Sequence, residues 1–228
     1  MKPIFVTGTQ RSGTSLVAKI IELAGVYAGN TNTMSENLKI KNYMDSYYDL
    51  LSMDKNGQYP LPQISELPIP NNWKERVEAL LRVDGWDGFQ TWMYKSNRMS
   101  QIWPVWVHAF PGARWIIVRR RTGDIVASCE KTAYMKAFKD VVIQRQVGVL
   151  NEKEGWLWWI RQHEKRFVEI LNEGLNCKVI WPERLIQGDY SQVYEMLQFL
   201  GLPWNEKIVV DIEPLLQKTR KKQLSWQK

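Results

Sequence analysis

The sequence predicts an α/β fold: a P-loop-containing, three-layer architecture with a central parallel sheet flanked by helices. Apolar runs at residues 4–7, 115–118 and 179–181 have the length and character of buried parallel strands. Segments with helical spacing alternate with these runs, which is the pattern of strands joined by helical crossovers. The first strand-to-helix turn is the glycine-rich stretch IFVTGTQRSGTSL at residues 4–16, which has the form of a phosphate-binding loop.

The helices are predicted from the spacing of their apolar residues. Leu16, Ile20 and Leu23 share one face of a first helix. That helix begins at Thr14 and should stop at Gly25. Further helices are predicted in WKERVEALL, in TGDIVASCEK after the second strand, over residues 156–171 and over residues 191–200.

The composition is that of a soluble globular protein. Of its 228 residues, 44% are hydrophobic and 24% are charged, and no stretch approaches the ~18 apolar residues of a membrane helix. The four prolines of residues 54–72 indicate a loop rather than a boundary. Without a repeat or a linker, we expect one domain spanning residues 1–228. The N-terminus is a strand pattern without a signal segment, so we expect a cytoplasmic protein.

The net charge of +7 points to an anionic partner, such as a nucleotide, a polyanion, nucleic acid or a membrane surface. Cys129 and Cys177 lack metal spacing, and the chain has only two histidines, so we expect reduced thiols and no metal site.

The glycine-rich loop predicts an anion site. Its glycines let successive N–H groups point into one concavity, to which the following helix adds its positive end. A nucleotide triphosphatase has a lysine where this chain has Thr14, and Arg11 supplies the positive charge instead. The candidate binding residues are Gly8, Thr9, Gln10, Arg11, Ser12, Gly13, Thr14 and Ser15.

These residues resemble a known family, the sulfotransferases that use 3′-phosphoadenosine 5′-phosphosulfate (PAPS). TGTQRSGTSLV is similar to the phosphosulfate loop of that family, with Arg11 in the basic position. IIVRRRTGDIVAS is similar to its strand–Arg–Ser segment, which implies that Arg120 and Ser128 hold the 3′-phosphate of the nucleotide; Arg119 is the alternative by a one-residue shift. The family often has a proline soon after the arginine, and Thr122 stands there instead.

A third segment, VIWPERLIQGDYSQVYEMLQFLGLPW, resembles the end of the family's fold, with Glu183, Leu185, Gly201 and Pro203 in place. The residues alone support the same assignment, because a nucleotide with two separate phosphates needs two cationic sites at strand ends. Residues 8–15 and 119–128 supply them, and ligands bind beyond the carboxyl ends of parallel strands.

The resemblance also implies catalytic residues. Arg11 would stabilise charge on the departing phosphate, and Lys95 would serve the transferring group. The histidine that acts as base in cytosolic relatives is replaced by Asn97, which cannot accept a proton usefully. Other relatives use a carboxylate after the first helix, so Asp45 and Glu36 are the candidates, with Asp45 slightly favoured.

Other residues are weaker candidates. His163 has the spacing of a packed helix residue, and His108 precedes a turn where a structural hydrogen bond is expected. The Pro-rich stretch and four aromatic residues are expected to shape the acceptor pocket: Tyr43, Tyr47, Tyr48 and Trp92. In the basic tail, Arg220 and Lys221 are candidates for the 3′-phosphate or, more simply, solvated cations.

The predicted function is metal-free sulfuryl transfer from PAPS, leaving adenosine 3′,5′-bisphosphate, to a hydroxyl or amine. The sequence leaves the acceptor open among sugar, lipid, peptide and small alcohol, predicts neither a nucleic-acid partner nor a membrane span, and does not fix the oligomeric state. The alternatives are a P-loop kinase of a small metabolite and a catalytically degenerate module that binds adenosine 3′,5′-bisphosphate.

Overall fold

Four parallel strands form the central sheet of the computed structural model, which describes the backbone of residues 2–224 and the side chains of residues 2–217. The strands are β1 (Ile4–Gly8), β2 (Met93–Lys95), β3 (Arg114–Val118) and β4 (Cys177–Ile180). They lie side by side in the order β2-β1-β3-β4. The predicted α/β fold with a parallel sheet is confirmed.

Helices connect and cover the strands. In chain order they are α1 (Thr14–Leu23), α2 (Leu38–Leu50), α3 (Trp73–Val83), α4 (Trp103–Ala109), α5 (Thr122–Glu130), α6 (Val141–Val147), α7 (Glu152–Asn172), α8 (Pro182–Ile186), α9 (Ser191–Phe199) and α10 (Glu206–Leu224). Among the described residues, none of the helices combines the length and the apolar character that a membrane span requires.

Alternate residues of each strand face opposite sides of the sheet, and each side carries its own core. Phe5 of β1 packs on one side with α2, α3, α4 and α7. Ile4 and Val6 pack on the other side with α1, α8, α9 and α10. The sheet is therefore the middle of three layers, as the sequence predicts. A third apolar cluster joins α5 to α7 around Phe138 and Trp156.

The strand register brings the site residues to one edge of the sheet. Val6 of β1 lies opposite Lys95 of β2 and Ile116 of β3. Because all strands run in the same direction, the loop after β1, the end of β2 and the residues after β3 leave the sheet on the same side. This edge carries the predicted site.

Several elements differ from the sequence prediction. β2 is a strand that the sequence did not predict, because three residues are too few to display a period. The helices α2, α4, α6 and α8 were not predicted either. The last helix, α10, begins at Glu206, beyond the last helix that the sequence predicted, residues 191–200. The segment 54–72 is a loop, as predicted, apart from a short 3₁₀ turn at Ile64–Glu66. The side chains of Arg220 and Lys221 lie outside the described residues.

Candidate active site

The loop between β1 and α1 is shaped by its glycines. A Cβ on Gly8 would lie 2.3 Å from the backbone oxygen of Val118, so only glycine fits where β1 passes β3. Gly13 has a φ of 100° and Arg11 a φ of 69°, both in the left-handed region. Left-handed residues within a turn direct neighbouring N–H groups toward one side, which is how anion-binding concavities form.

Two further features of this loop suit an anion. The Oγ of Ser12 is buried and has no hydrogen-bond partner within the described part of the chain. The first turn of α1 carries no acidic residue, and Gly13 at its N-cap offers no side chain to the terminal N–H groups. A helix N-terminus with its N–H groups and partial positive charge attracts phosphate or sulfate.

Arg11 links the loop to the predicted second site. Its Nε donates a hydrogen bond of 2.9 Å to the Oγ of Ser128, which lies on α5. The Nη1 of Arg120, which follows β3, donates a hydrogen bond of 3.1 Å to the backbone oxygen of Arg11. The structure therefore brings together the two segments that the sequence singled out independently.

Arg120 keeps donor capacity for a ligand. Its buried Nε has no hydrogen-bond partner among the described residues and lies 3.8 Å from the carboxylate of Asp124. Burial lowers the pKa of Arg120, and Asp124 and Glu183 oppose that change. Its neighbour Arg119 points elsewhere, pairing with Glu164 at 2.5 Å and lying over the ring of Trp181.

A cavity of about 390 Å³ lies over the loop. Its lining residues are the loop and first turn of α1 from Gln10 to Leu16, then Thr33, Met34, Lys95, Asn97, Arg120, Tyr134, Pro182, Glu183 and Ile186. Arginine, hydroxyl and backbone groups of the loop line this cavity, and Leu16, Pro182 and Ile186 add apolar atoms to its lining. The cavity thus combines hydrogen-bond donors suited to an anion with apolar atoms suited to a flat apolar group.

A second cavity, of about 560 Å³, adjoins the first. Both cavities are lined by Gln10, Thr33, Met34, Asn97 and Tyr134. The second cavity alone is lined by Asn32, Glu36, Lys41, Asp45, Lys55, Asn56 and Arg98. The two candidate bases therefore lie along one connected cleft with the candidate phosphate-binding residues from Gln10 to Ser15 and with Arg120. Gly8, Thr9 and Ser128 are buried and do not line it.

Lys95 and Glu36 form a pair where the two cavities meet. Lys95 is 2% exposed, and its Nζ lies 3.6 Å from the Oε1 of Glu36. The Oε2 of Glu36 accepts a hydrogen bond of 3.2 Å from the amide of Asn32. Burial lowers the pKa of Lys95, and the neighbouring Glu36 opposes that change.

Asp45 is in a different environment. Its Oδ2 lies 2.7 Å from the Nζ of Lys41, and its Oδ1 accepts a bond of 2.7 Å from the buried Arg98. Each of its two oxygens therefore already binds a cation. This arrangement suits a carboxylate that holds two side chains in place.

Asn97, which the sequence resemblance aligns with a histidine, supports the loop. The Oγ1 of Thr14 donates a hydrogen bond of 3.2 Å to its Oδ1. The Oγ of Ser15 donates one of 2.9 Å to the backbone oxygen of Met34. The two hydroxyl residues at the start of α1 thus fix both the β2 side and the Met34 side of the cleft.

The histidines lie outside the cleft. His163 is 1% exposed, with its Nε2 2.9 Å from the amide nitrogen of Gln101 and its Nδ1 3.3 Å from the Oγ of Ser100. Burial lowers its pKa to about 3. His108 is exposed in the last turn of α4. The prediction of a packed His163 is confirmed.

The prediction that Tyr43, Tyr47, Tyr48 and Trp92 shape the acceptor pocket is wrong, because none of them lines either cavity of the cleft. Tyr47, Tyr48 and Trp92 are buried in the core on the α2 side of the sheet, and the ring of Tyr43 packs against Trp73 at 4.7 Å. Aromatic residues on the apolar face of α2 cover the sheet and leave the cleft to polar residues. Of the Pro-rich stretch, Lys55 and Asn56 do line the second cavity.

Several cleft residues were missed by the sequence reasoning, among them Tyr134, Arg98 and Lys41. Tyr134 lines both cavities, and the Nη1 of Arg11 donates a hydrogen bond of 3.4 Å to its hydroxyl. Arg98, which pairs with Asp45, lies three positions after Lys95. This closeness to a residue already selected was the signal that could have identified it. Tyr134 lies in a turn shortly after the motif that ends at Ser128, and no pattern there distinguishes it.

The third motif stabilises the fold around the site. The Oε1 of Glu183 accepts a hydrogen bond of 2.8 Å from the backbone N–H of Arg121, just after Arg120. Leu185 and Leu200 are buried in the core on the α1 side. These contacts fix the turn from β3 into α5.

Comparisons with known proteins give structural matches only. No protein-family model matches the sequence, and no curated protein is significantly similar to it. Among solved structures, the sulfotransferase STF9 from Mycobacterium avium is similar with a TM-score of 0.59 and 12% identity, over 95% of this chain and 68% of that one. The sulfotransferase STF1 from Mycobacterium tuberculosis H37Rv matches with a TM-score of 0.42 and 14% identity, over 91% and 69%.

The fold and the cleft define an α/β protein with a glycine-rich loop at the carboxyl edge of a parallel sheet. More particularly, the chain has the fold of the M. avium sulfotransferase.

Proposed function

We propose that this chain is a PAPS-dependent sulfotransferase. The observation that carries the proposal is the contact of Arg11 with both Ser128 and Arg120, because it joins two anion sites at the ends of adjacent strands. A ligand with two separate phosphates would bridge such a pair. The unpartnered Ser12 Oγ and Arg120 Nε are donors that fit those phosphates.

Each part of the first cavity has a role in this proposal. The loop from Gly8 to Ser15 would hold the 5′-phosphosulfate, and Arg120 with Ser128 would hold the 3′-phosphate. Leu16, Pro182 and Ile186 would lie against the purine, since they are the apolar residues that line the cavity beside the loop. Arg11 supplies the positive charge at the 5′ position, and Arg120 supplies it at the 3′ position.

When bound, PAPS supplies the sulfuryl group: the bond between sulfur and the 5′-phosphate oxygen breaks, its electron pair stays on the phosphate, and sulfur bonds to the acceptor oxygen. Arg11 and the loop N–H groups would stabilise the charge on that phosphate. Lys95, at the end of β2 beside the loop, would contact the transferring sulfuryl group.

Glu36 is our preferred base. It is paired with Lys95, and its second oxygen accepts only an amide hydrogen bond that an acceptor hydroxyl can replace. Asp45 binds a cation on each oxygen, which supports a positioning role instead. A base must lie within hydrogen-bond reach of the proton it takes, and Glu36 lies beside both the loop and the second cavity.

A ligand panel tests the proposal. We expect adenosine 3′,5′-bisphosphate at about a hundred times its Kd to raise the melting temperature by about 5–10 °C. AMP and ATP–Mg²⁺ should give smaller shifts. Arg120→Ala should remove the advantage of the bisphosphate over AMP, measured by thermal unfolding.

Arg121→Ala is the matched control, because Arg121 is the next residue, is mostly exposed and carries the same charge. It should leave the ligand preference unchanged. A larger shift with ATP–Mg²⁺ would favour the kinase, and equal shifts with AMP and the bisphosphate would refute the proposal. Binding of the bisphosphate without transfer to any acceptor would favour the degenerate module.

A further inference from the structure

The second cavity is lined almost entirely by polar side chains. Its only apolar or aromatic residues are Met34 and Tyr134, which also line the first cavity. The other lining residues carry amide, hydroxyl or charged groups. Pockets for flat apolar ligands are lined mainly by hydrophobic and aromatic residues. This cavity instead suits a ligand rich in hydroxyl groups.

The lining of the cavity carries a surplus of positive charge around Asp45. Asp45 is paired with both Lys41 and Arg98, each at 2.7 Å. One carboxylate neutralises only one of the two cations. The side chain of Arg98 is 5% exposed and that of Lys41 is 32% exposed, so Lys41 is the cation of this pair that a ligand can reach.

The cavity therefore offers two kinds of chemistry. Glu36, which pairs with Lys95, offers a proton acceptor. Lys41 on α2 offers a positive charge. A matching ligand presents both a hydroxyl and a negative charge.

We propose that the acceptor is a sugar that carries a carboxylate. Its carboxylate pairs with Lys41 while one of its hydroxyl groups donates to Glu36. As that hydroxyl oxygen bonds to sulfur, its proton passes to Glu36, and the 5′-phosphate leaves with the electrons of the broken S–O bond. This inference rests on the proposed function and adds the class of acceptor.

Calorimetric titration tests the assignment without turnover. Phenyl glycosides of glucuronic and galacturonic acid are titrated into protein saturated with adenosine 3′,5′-bisphosphate, each against its neutral parent sugar. We expect at least one acid to bind about tenfold more tightly than its parent, as expected for one charge-assisted hydrogen bond. Lys41→Met should abolish that preference, and transfer from PAPS to the preferred acid should exceed transfer to 2-naphthol.

Lys39→Met is the matched control, because Lys39 lies on the same helix but lines a different surface cavity. It should retain the preference for the acid. Equal binding of acid and neutral sugar, an unchanged preference in Lys41→Met, or better transfer to 2-naphthol would each overturn the assignment. Failure of the bisphosphate to bind would instead refute the proposed function, so the two failures are distinguishable.

Discussion

Arg11 has a backbone conformation that L-residues rarely adopt, with a φ of 69°. This conformation places a long cationic side chain inside the loop, where it contacts Ser128 and Tyr134. A lysine in the usual P-loop position would reach out from the first turn of the helix instead. The cation of this loop therefore lies between the two phosphate positions that we propose.

The choice between the two carboxylates is a residue-scale prediction. We expect Glu36→Gln to lower sulfuryl transfer about 10²–10⁴-fold, because the variant cannot accept the hydroxyl proton. Binding of adenosine 3′,5′-bisphosphate should stay unchanged. The assay measures bisphosphate release from PAPS with a sugar-acid acceptor.

Asp45→Asn is the comparison variant. It should lower transfer less than Glu36→Gln does, because Asp45 acts by holding Lys41 and Arg98. A greater loss in Asp45→Asn than in Glu36→Gln would place the base at Asp45, as the sequence alone favoured.

His163 gives a prediction about pH. Burial lowers its pKa from 6.5 to about 3, so between these values the unfolded chain binds a proton that the folded chain does not. Stability must therefore fall as the pH falls through this window. Between pH 7 and pH 5 we expect the free energy of unfolding to drop by about 2 kcal/mol more in the wild type than in His163→Gln.

Urea unfolding at the two pH values measures this difference. His163→Gln keeps a side chain that can hydrogen-bond with Gln101, so its own stability can be measured at both values. Parallel pH dependence of the two proteins would show that His163 does not titrate in this way.

At the scale of elements, the turn from β1 into α1 depends on close packing between strands. A Cβ on Gly8 would meet the backbone oxygen of Val118 at 2.3 Å, and backbone cannot move aside as a side chain does. We expect Gly8→Ala to lower the free energy of unfolding by about 1–3 kcal/mol. It should also weaken bisphosphate binding, since the loop begins there.

Gly123→Ala is the control, because Gly123 lies in the first turn of α5 with nothing within 4 Å of an added Cβ. Alanine is the better helix former, so this variant should be as stable as the wild type or more stable by up to about 1 kcal/mol. Equal stability of the two variants in urea unfolding would contradict the close packing at Gly8.

The sequence predicted an element correctly where its apolar pattern covered many residues or where its motif was contiguous. The loop from Gly8 to Ser15 and the segment from Arg119 to Ser128 are each contiguous in the sequence, so both could be singled out in advance. β2 could not, because a strand of three residues is defined by its pairing with β1. The aromatic residues of α2 were misplaced, since the sequence does not distinguish a core face from a pocket wall.

At the scale of the whole molecule, the sheet assembles the cleft from distant segments. Glu36 and Asp45 lie nine positions apart, but Lys95 and Arg98, which give them different environments, come from the end of β2 and the turn after it. Only the pair of Lys41 and Asp45, four positions apart on α2, is encoded locally. The single-domain organisation and the cytoplasmic location stay predictions from the sequence.

The central claim is that the loop after β1 and the residues after β3 form one nucleotide site with two phosphate positions. A crystal structure of the protein with adenosine 3′,5′-bisphosphate tests it most directly. We predict the 5′-phosphate in the loop from Gly8 to Ser15 and the 3′-phosphate on Arg120 and Ser128. A nucleotide bound elsewhere, or a 3′-phosphate without contact to Arg120, would contradict the account.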